Sequence, residues 1–124
     1  MSLTDIIAQD TSSITITRHT KVKHAGGFSW TTSTLQPVTA RLYFYSTRNQ
    51  REVTIPEGEV KTIVAGLLID GVTADVMVGH DSFDTFSVWT IGSPAELREY
   101  RIVGVRRYDD STCEANTQAD CVAV

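Results

Sequence analysis

Pro37-Val38-Thr39-Ala40-Arg41-Leu42-Tyr43-Phe44-Tyr45-Ser46 decides the fold of this chain. Val38, Ala40, Leu42 and Phe44 fall on one parity; Thr39, Arg41, Tyr43 and Tyr45 fall on the other. Successive side chains of an extended chain point to opposite faces, so this stretch is a strand with one face on a core and one facing outward. Pro37 suits the first strand position, where no ladder N–H is required.

The same grammar extends in both directions. Upstream, Ser12 to His19 alternates Ile14 and Ile16 with Thr15 and Thr17. Downstream, Arg51 to Ile55 is a short strand closed by the turn Pro56-Glu57-Gly58. Val60 to Ile69 is apolar on both faces toward its end; its β-branched residues favour a buried strand over a helix. Asp70-Gly71 marks a turn, and Ala74 to Val78 and Phe86 to Ile91 read as further strands, the latter broken by Gly92-Ser93-Pro94. Glu99 to Tyr108 is the last strand. Its apolar phase slips between Tyr100/Ile102 and Val103/Val105, as a bulge near Gly104 or burial on both faces would produce. Leu3 to Ala8 reads as one short helical turn.

The expected fold is therefore all-β: a small single-domain barrel or sandwich of about six or seven strands. Residues 1–108 form the barrel, with one long loop over 20–36, and 109–124 form a flexible, acidic C-terminal tail. That loop (TKVKHAGGFSWTTSTLQ) is long for a connection and carries Lys21, Lys23, His24, Phe28 and Trp30, which makes it the candidate partner interface.

The chain has 124 residues, enough for one domain with its own core. Hydrophobic content of 41% and charged content of 21% are those of a globular protein. No apolar run is long enough to cross a bilayer, and the first residues lack the basic and apolar regions of a secretion signal. A cytoplasmic site of folding is expected, with Cys113 and Cys121 as thiols. The net charge of −4 conceals blocks of alternating sign. Thr11 to Arg51 holds six basic residues and no acidic one, whereas Glu52 to Leu97 holds eight acidic residues and only Lys61. Such blocks can complement each other across copies of the chain.

Catalytic constellations are not evident. Gly26-Gly27 lacks the lysine and hydroxyl of a phosphate loop. His80-Asp81-Ser82 has the residue types of a triad, but contiguous residues point in different directions. Neither the cysteines nor the histidines match a zinc spacing. The expectation is no enzyme, no metal and no cofactor. Nucleic acid is an alternative partner: Arg41, Tyr43 and Tyr45 share one strand face, as a single-strand stacking platform requires. The pI near 5.2 weighs against it.

Four segments in order carry a resemblance to a known family. They are the N-terminal strand ending in Arg18 before a long loop; Pro37-Val38-Thr39-Ala40-Arg41-Leu42; Ala74-Asp75-Val76-Met77-Val78-Gly79-His80-Asp81-Ser82-Phe83; and Tyr100-Arg101-Ile102-Val103-Gly104-Val105-Arg106-Arg107-Tyr108. Together they resemble the head-closure (head-tail connector or stopper) proteins of tailed bacteriophages, over residues 13–108. In that family the middle strand typically runs into a Gly-Asp turn; here His80 separates Gly79 from Asp81, and a longer stretch precedes Tyr100. The resemblance implies a β-barrel subunit of a structural virion protein, assembled in the host cytoplasm into a ring, hexameric in form. Such a ring closes the DNA-filled head beneath the portal or adaptor protein and offers the tail protein its attachment surface. DNA passes through without sequence-specific binding, and no membrane is involved. Another phage tail-assembly protein such as a tail terminator, or a single-stranded nucleic-acid-binding barrel, is the alternative.

Overall fold

A computed structural model describes residues 12–89, 94–109 and 114–124 of the chain. The helical turn expected at Leu3–Ala8, and Cys113, lie outside the described residues. The described residues form nine strands: β1 (Ser12–Ile14), β2 (Ile16–His24), β3 (Gly27–Thr34), β4 (Val38–Phe44), β5 (Arg51–Thr54), β6 (Val60–Asp70), β7 (Ser82–Trp89), β8 (Leu97–Tyr108) and β9 (Asn116–Ala123). All pair antiparallel in one sheet of order β1-β4-β6-β9-β8-β7-β2-β3, with β5 beside β6.

The all-β, single-domain reading holds, with nine strands rather than six or seven, and the sheet is not a closed barrel. Its curl comes from the first strand. β1 and β2 are separated only by Thr15, yet β1 borders β4 (Ile14 opposite Val38) while β2 borders β7 (Ile16 opposite Phe86). One run of chain thus touches both ends of the sheet and rolls it around a core of Ile14, Ile16, Ala40, Ala65, Leu67, Ile69, Phe86, Tyr100, Ile102, Ala119 and Cys121. Val38 and Leu42 of β4 pack against that core as their parity requires. Phe44 shares the parity but stands exposed, its ring tilted against that of Tyr100 at 6.0 Å.

Three segments depart from the sequence expectation. The stretch 20–36 is not a loop. Most of it is the β2–β3 hairpin, turning at Ala25-Gly26. Pattern reading misses β3 because all eight of its residues are exposed, so no apolar alternation exists to find. Its Thr, Phe and Trp residues nevertheless suit a pleated strand. The acidic tail is equally mistaken: β9 lies between β6 and β8 in the middle of the sheet. It reads as polar because Asn116, Thr117 and Asp120 are buried with partners: Asn116 bonds locally to Glu114 O and Gln118, whereas Thr117 Oγ1 donates to the distant Gly71 O at 2.8 Å and Asp120 accepts from Arg51 and Arg106.

The slip in the last strand is a bulge. The β8–β9 register shifts between Ile102 and Gly104. Beyond it, Gly104 stands opposite Asp120, and Val105 returns to the core side. In the same cross-strand row Gly66 faces both Asp120 and Tyr43. The Tyr43 ring lies directly over Gly66, in the space a Cβ would need.

Ala74 to Val78 is not a strand. It is an extended cover across one end of the roll, where Ala74, Val76 and Val78 pack on the core. A buried ion pair fastens it. Asp84 of β7 is fully buried and accepts from Arg18 Nε at 2.9 Å and Nη2 at 3.0 Å. Asp84 Oδ2 also accepts from Met77 N–H at 2.8 Å, and Arg18 reaches on to Asp75 at 2.9 Å. The cover has no ladder of its own; beside this pair, Asp84 N–H donates to Met77 O at 3.0 Å and Arg107 Nη2 to Ala74 O at 3.0 Å.

Removing the cation leaves a buried, uncompensated carboxylate. Arg18→Met is expected to cost about 3–5 kcal/mol in urea unfolding, and Arg18→Met/Asp84→Leu to recover much of it. A single-variant loss below about 1 kcal/mol would show that water reaches Asp84. Gly66→Ala forces Tyr43 off its seat at a cost of about 1–3 kcal/mol, and the cost should shrink in a Tyr43→Ala background. Equal costs in both backgrounds would locate the strain elsewhere.

Candidate partner-docking face

The ladder collects a set of side chains on the outer face of the roll. Phe28 faces Lys23, Trp30 faces Lys21, and His19 faces Phe83 across β3, β2 and β7. One row along, Thr85, Arg101 and Val122 align across β7, β8 and β9. The result is a continuous aromatic and cationic surface. Phe28 and Trp30 meet edge to face at 6.3 Å, and Trp30 meets Phe83 in the same way at 5.4 Å. His19 stacks on Phe83 at 4.8 Å, with its Nε2 2.8 Å from Thr85 Oγ1. The Lys21 ammonium sits 4.1 Å from the Phe28 ring centre, and the Arg101 guanidinium 3.9 Å from that of Phe83. Such contacts stiffen an exposed surface by about 0.5–1 kcal/mol each.

Arg101 is held from the other side by Glu57, which accepts from both terminal nitrogens at 2.7 and 3.0 Å. Glu57 reaches it from the β5–β6 turn, where Gly58 has a φ of +89° that only glycine adopts without strain. The hydrogen bonds from Arg101 hold the Glu57 carboxyl below the usual carboxylate range. Between the hairpin arm and this turn runs a groove of about 410 Å³, lined by Trp30, Phe83 and Arg101 on one side and Ile55, Lys61 and Val122 on the other.

Of the five interface residues read from sequence, Lys21, Phe28 and Trp30 come together here. Lys23 faces Phe28 in the ladder, and His24 closes the hairpin opposite Gly27. His19, Phe83, Arg101 and Glu57 escape sequence reading because their contact depends on strand order, which no local pattern encodes. The aromatics are strongly presented: Phe28 is 55% and Trp30 42% exposed.

The other candidate face is differently arranged. Arg41, Tyr43 and Tyr45 share one side of the β4 chain, and the tyrosines touch edge to face at 5.5 Å. Tyr43 is committed to covering Gly66, and burial raises its hydroxyl pKa. Asp120 lies in the same row and binds Arg51 at 2.7 Å and Arg106 at 3.2 Å, so its carboxylate already neutralises cations that a phosphate would need.

The local set His80-Asp81-Ser82 does not assemble a triad. His80 Nδ1 lies 3.1 Å from Asp81, but the Ser82 hydroxyl approaches Thr20. Cys121 is a buried free thiol, and burial pushes its pKa up to about 12. Among the described residues no group of three or more His, Cys, Asp or Glu side chains gathers as a metal site requires. No helix among them is long and apolar enough to cross a membrane. No protein-family model and no curated protein matches the chain.

The Glu57–Arg101 pair makes the face pH-dependent in a defined direction. Its contribution is full above the ordinary carboxylate pKa near 4.5 and is lost as pH falls through the lower folded value. Glu57→Gln should cost roughly 1 kcal/mol or less at neutral pH, since the pair is partly open to solvent. The gap between the two proteins' urea midpoints should close as pH drops below the carboxylate range. A gap independent of pH would mean that Glu57 acts by shape rather than charge.

Proposed function

We propose that this protein is a non-enzymatic structural subunit that works by binding other proteins, and that it serves in the head-tail connector of a tailed bacteriophage. The observation that carries the binding part is the outer face around Phe28 and Trp30. Aromatic anchors beside Lys21 and Arg101 are the residue types that dominate protein interfaces. They stand on a paired hairpin rather than a free loop, so little ordering entropy is lost on docking. The connector part draws on the order of sequence segments over residues 13–108. In such a ring the subunits meet through unlike patches, and the basic first third and acidic middle of the chain supply patches of opposite sign. The ring closes the filled head and carries the tail attachment surface, with the hairpin arm reaching a neighbour.

Nucleic-acid binding is the weaker reading, because Tyr43 is occupied by Gly66 and the Asp120 carboxylate sits among the cations of that face.

Light scattering over a range of protein and salt concentrations, with and without a short DNA strand, tests the proposal, together with negative-stain images of the largest species. Closed rings that form without DNA and ignore it are the expected result. A monomer that takes up DNA at low salt and releases it at moderate salt would replace the connector with a nucleic-acid barrel. Phe28→Ala/Trp30→Ala should keep the thermal transition and lose binding to the adjoining connector component; if it unfolds, these aromatics are core rather than interface.

A further inference from the structure

β3 ends the path of the sheet and is bonded on one side only, to β2. In an antiparallel ladder, alternate residues turn both N–H and C=O away from the partner strand. Lys21 N–H donates to Asp81 O at 2.8 Å, on the β7 side. Lys21 and the facing Trp30 are therefore a pair whose backbone groups point away from their shared ladder. Leu35 N–H, which donates back to Ile16 O at 2.9 Å, fixes the same phase from the other end of the strand. By the period of two, Phe28, Trp30, Thr32 and Thr34 all present N–H and C=O to the outer edge. Among the described residues no strand stands on that side.

Natural edge strands are guarded by charge, proline, a bulge or shortness. β3 has none of these. Its sequence Gly27-Phe28-Ser29-Trp30-Thr31-Thr32-Ser33-Thr34 is uncharged and proline-free, and its register with β2 is unbroken. The contrast within the molecule is β5, also bonded on one side only, which has just four residues and carries Arg51 and Glu52.

We propose that the β3 edge binds the β3 edge of a second copy of this chain, antiparallel about a two-fold axis at Thr31. This register sets Phe28 opposite Thr34 of the second copy and Trp30 opposite Thr32 of the second copy. Each of the four outward residues then exchanges both backbone hydrogen bonds with its counterpart. The cross-strand pairs are aromatic against β-branched, a favourable combination in sheets. Neither strand has a charge to repel its twin, and Lys21 of the neighbouring β2 is engaged within its own copy, over the Phe28 ring and 3.9 Å from Asp81. The aromatic rows of both copies merge into one outer face. A two-fold seam of this kind is compatible with a head-to-tail ring but does not need one, so the inference does not rest on the connector reading.

Three readouts test the seam. Thr32→Pro removes an N–H that the β2 ladder does not use, a position where an edge strand tolerates proline. Its far-ultraviolet spectrum and melting should stay close to the parent's, while the dimer dissociation constant from sedimentation equilibrium should rise by roughly a hundredfold or more. An intact fold with unchanged dimerisation would overturn the proposal, as would a parent protein that stays monomeric at its solubility limit. Thr31→Cys in a Cys113→Ser background should oxidise to a disulfide-linked dimer, because the axis brings the two Cβ atoms together; a control Arg48→Cys should not. Linkage no faster than the control's overturns the register. Should Thr32→Pro fail to fold, hydrogen exchange on the parent decides. Amides of Phe28, Trp30, Thr32 and Thr34 gain protection as concentration rises if the seam exists; exchange that stays fast in a dimeric protein overturns it. Rings that survive loss of the seam would leave the connector reading standing, and a strict dimer with no rings would do the reverse.

Discussion

The architecture hangs on the pairing of Arg18 with Asp84. A carboxylate with no solvent exposure is tolerable only if its lone pairs are filled. Two guanidinium nitrogens and the Met77 amide fill them. The same contacts link β2 to β7 beside their five-pair ladder and tie down the irregular cover from Ala74 to Val78. Apolar packing alone could not place that cover, since it has one isolated bridge, Val78 to Phe83, and otherwise no ladder.

A second constraint runs across the opposite face. Once the bulge at Ile102–Gly104 shifts the register, the row Tyr43–Gly66–Asp120–Gly104 contains two glycines flanking a carboxylate. The missing side chains make room for the Asp120 carboxylate and the Tyr43 ring. Arg51 and Arg106 then close over the acid from β5 and β8. This explains how a strand as polar as Asn116–Ala123 occupies the middle of a sheet: Asp120 is neutralised from β5 and β8, Thr117 donates to Gly71 O, and Asn116 bonds to Glu114 O and Gln118.

With the interior closed by these two networks, the hairpin arm is left as the part of the molecule directed outward. Its stiffness comes from the ladder to β2 and from Phe83 and Arg101 beneath Trp30 and His19. A rigid strand with exposed aromatics on its face and exposed amides on its edge has two independent ways to engage protein, by side chain and by backbone. Both are features on which the proposed role in assembly draws.

The local sequence by itself determined the strands whose two faces see different solvents. Val38–Phe44 alternates, the run to Asp70 is continuously apolar where it is covered on both faces, Pro56–Gly58 turns, and the phase slip at Gly104 is a bulge. These are visible because period and solvent contrast are properties of neighbouring residues. Tertiary structure alone decided three things. The stretch 20–36 is a strand pair, because β3 is held by backbone bonds to β2 and has no buried face to imprint a pattern. The C-terminal segment is a central strand, because Arg51, Arg106 and Gly71 O satisfy its polar groups from positions remote in the chain. The aromatic and cationic face exists because strand order sets His19, Phe83 and Arg101 beside Trp30, and strand order is fixed by long-range pairing that a one-dimensional pattern does not contain.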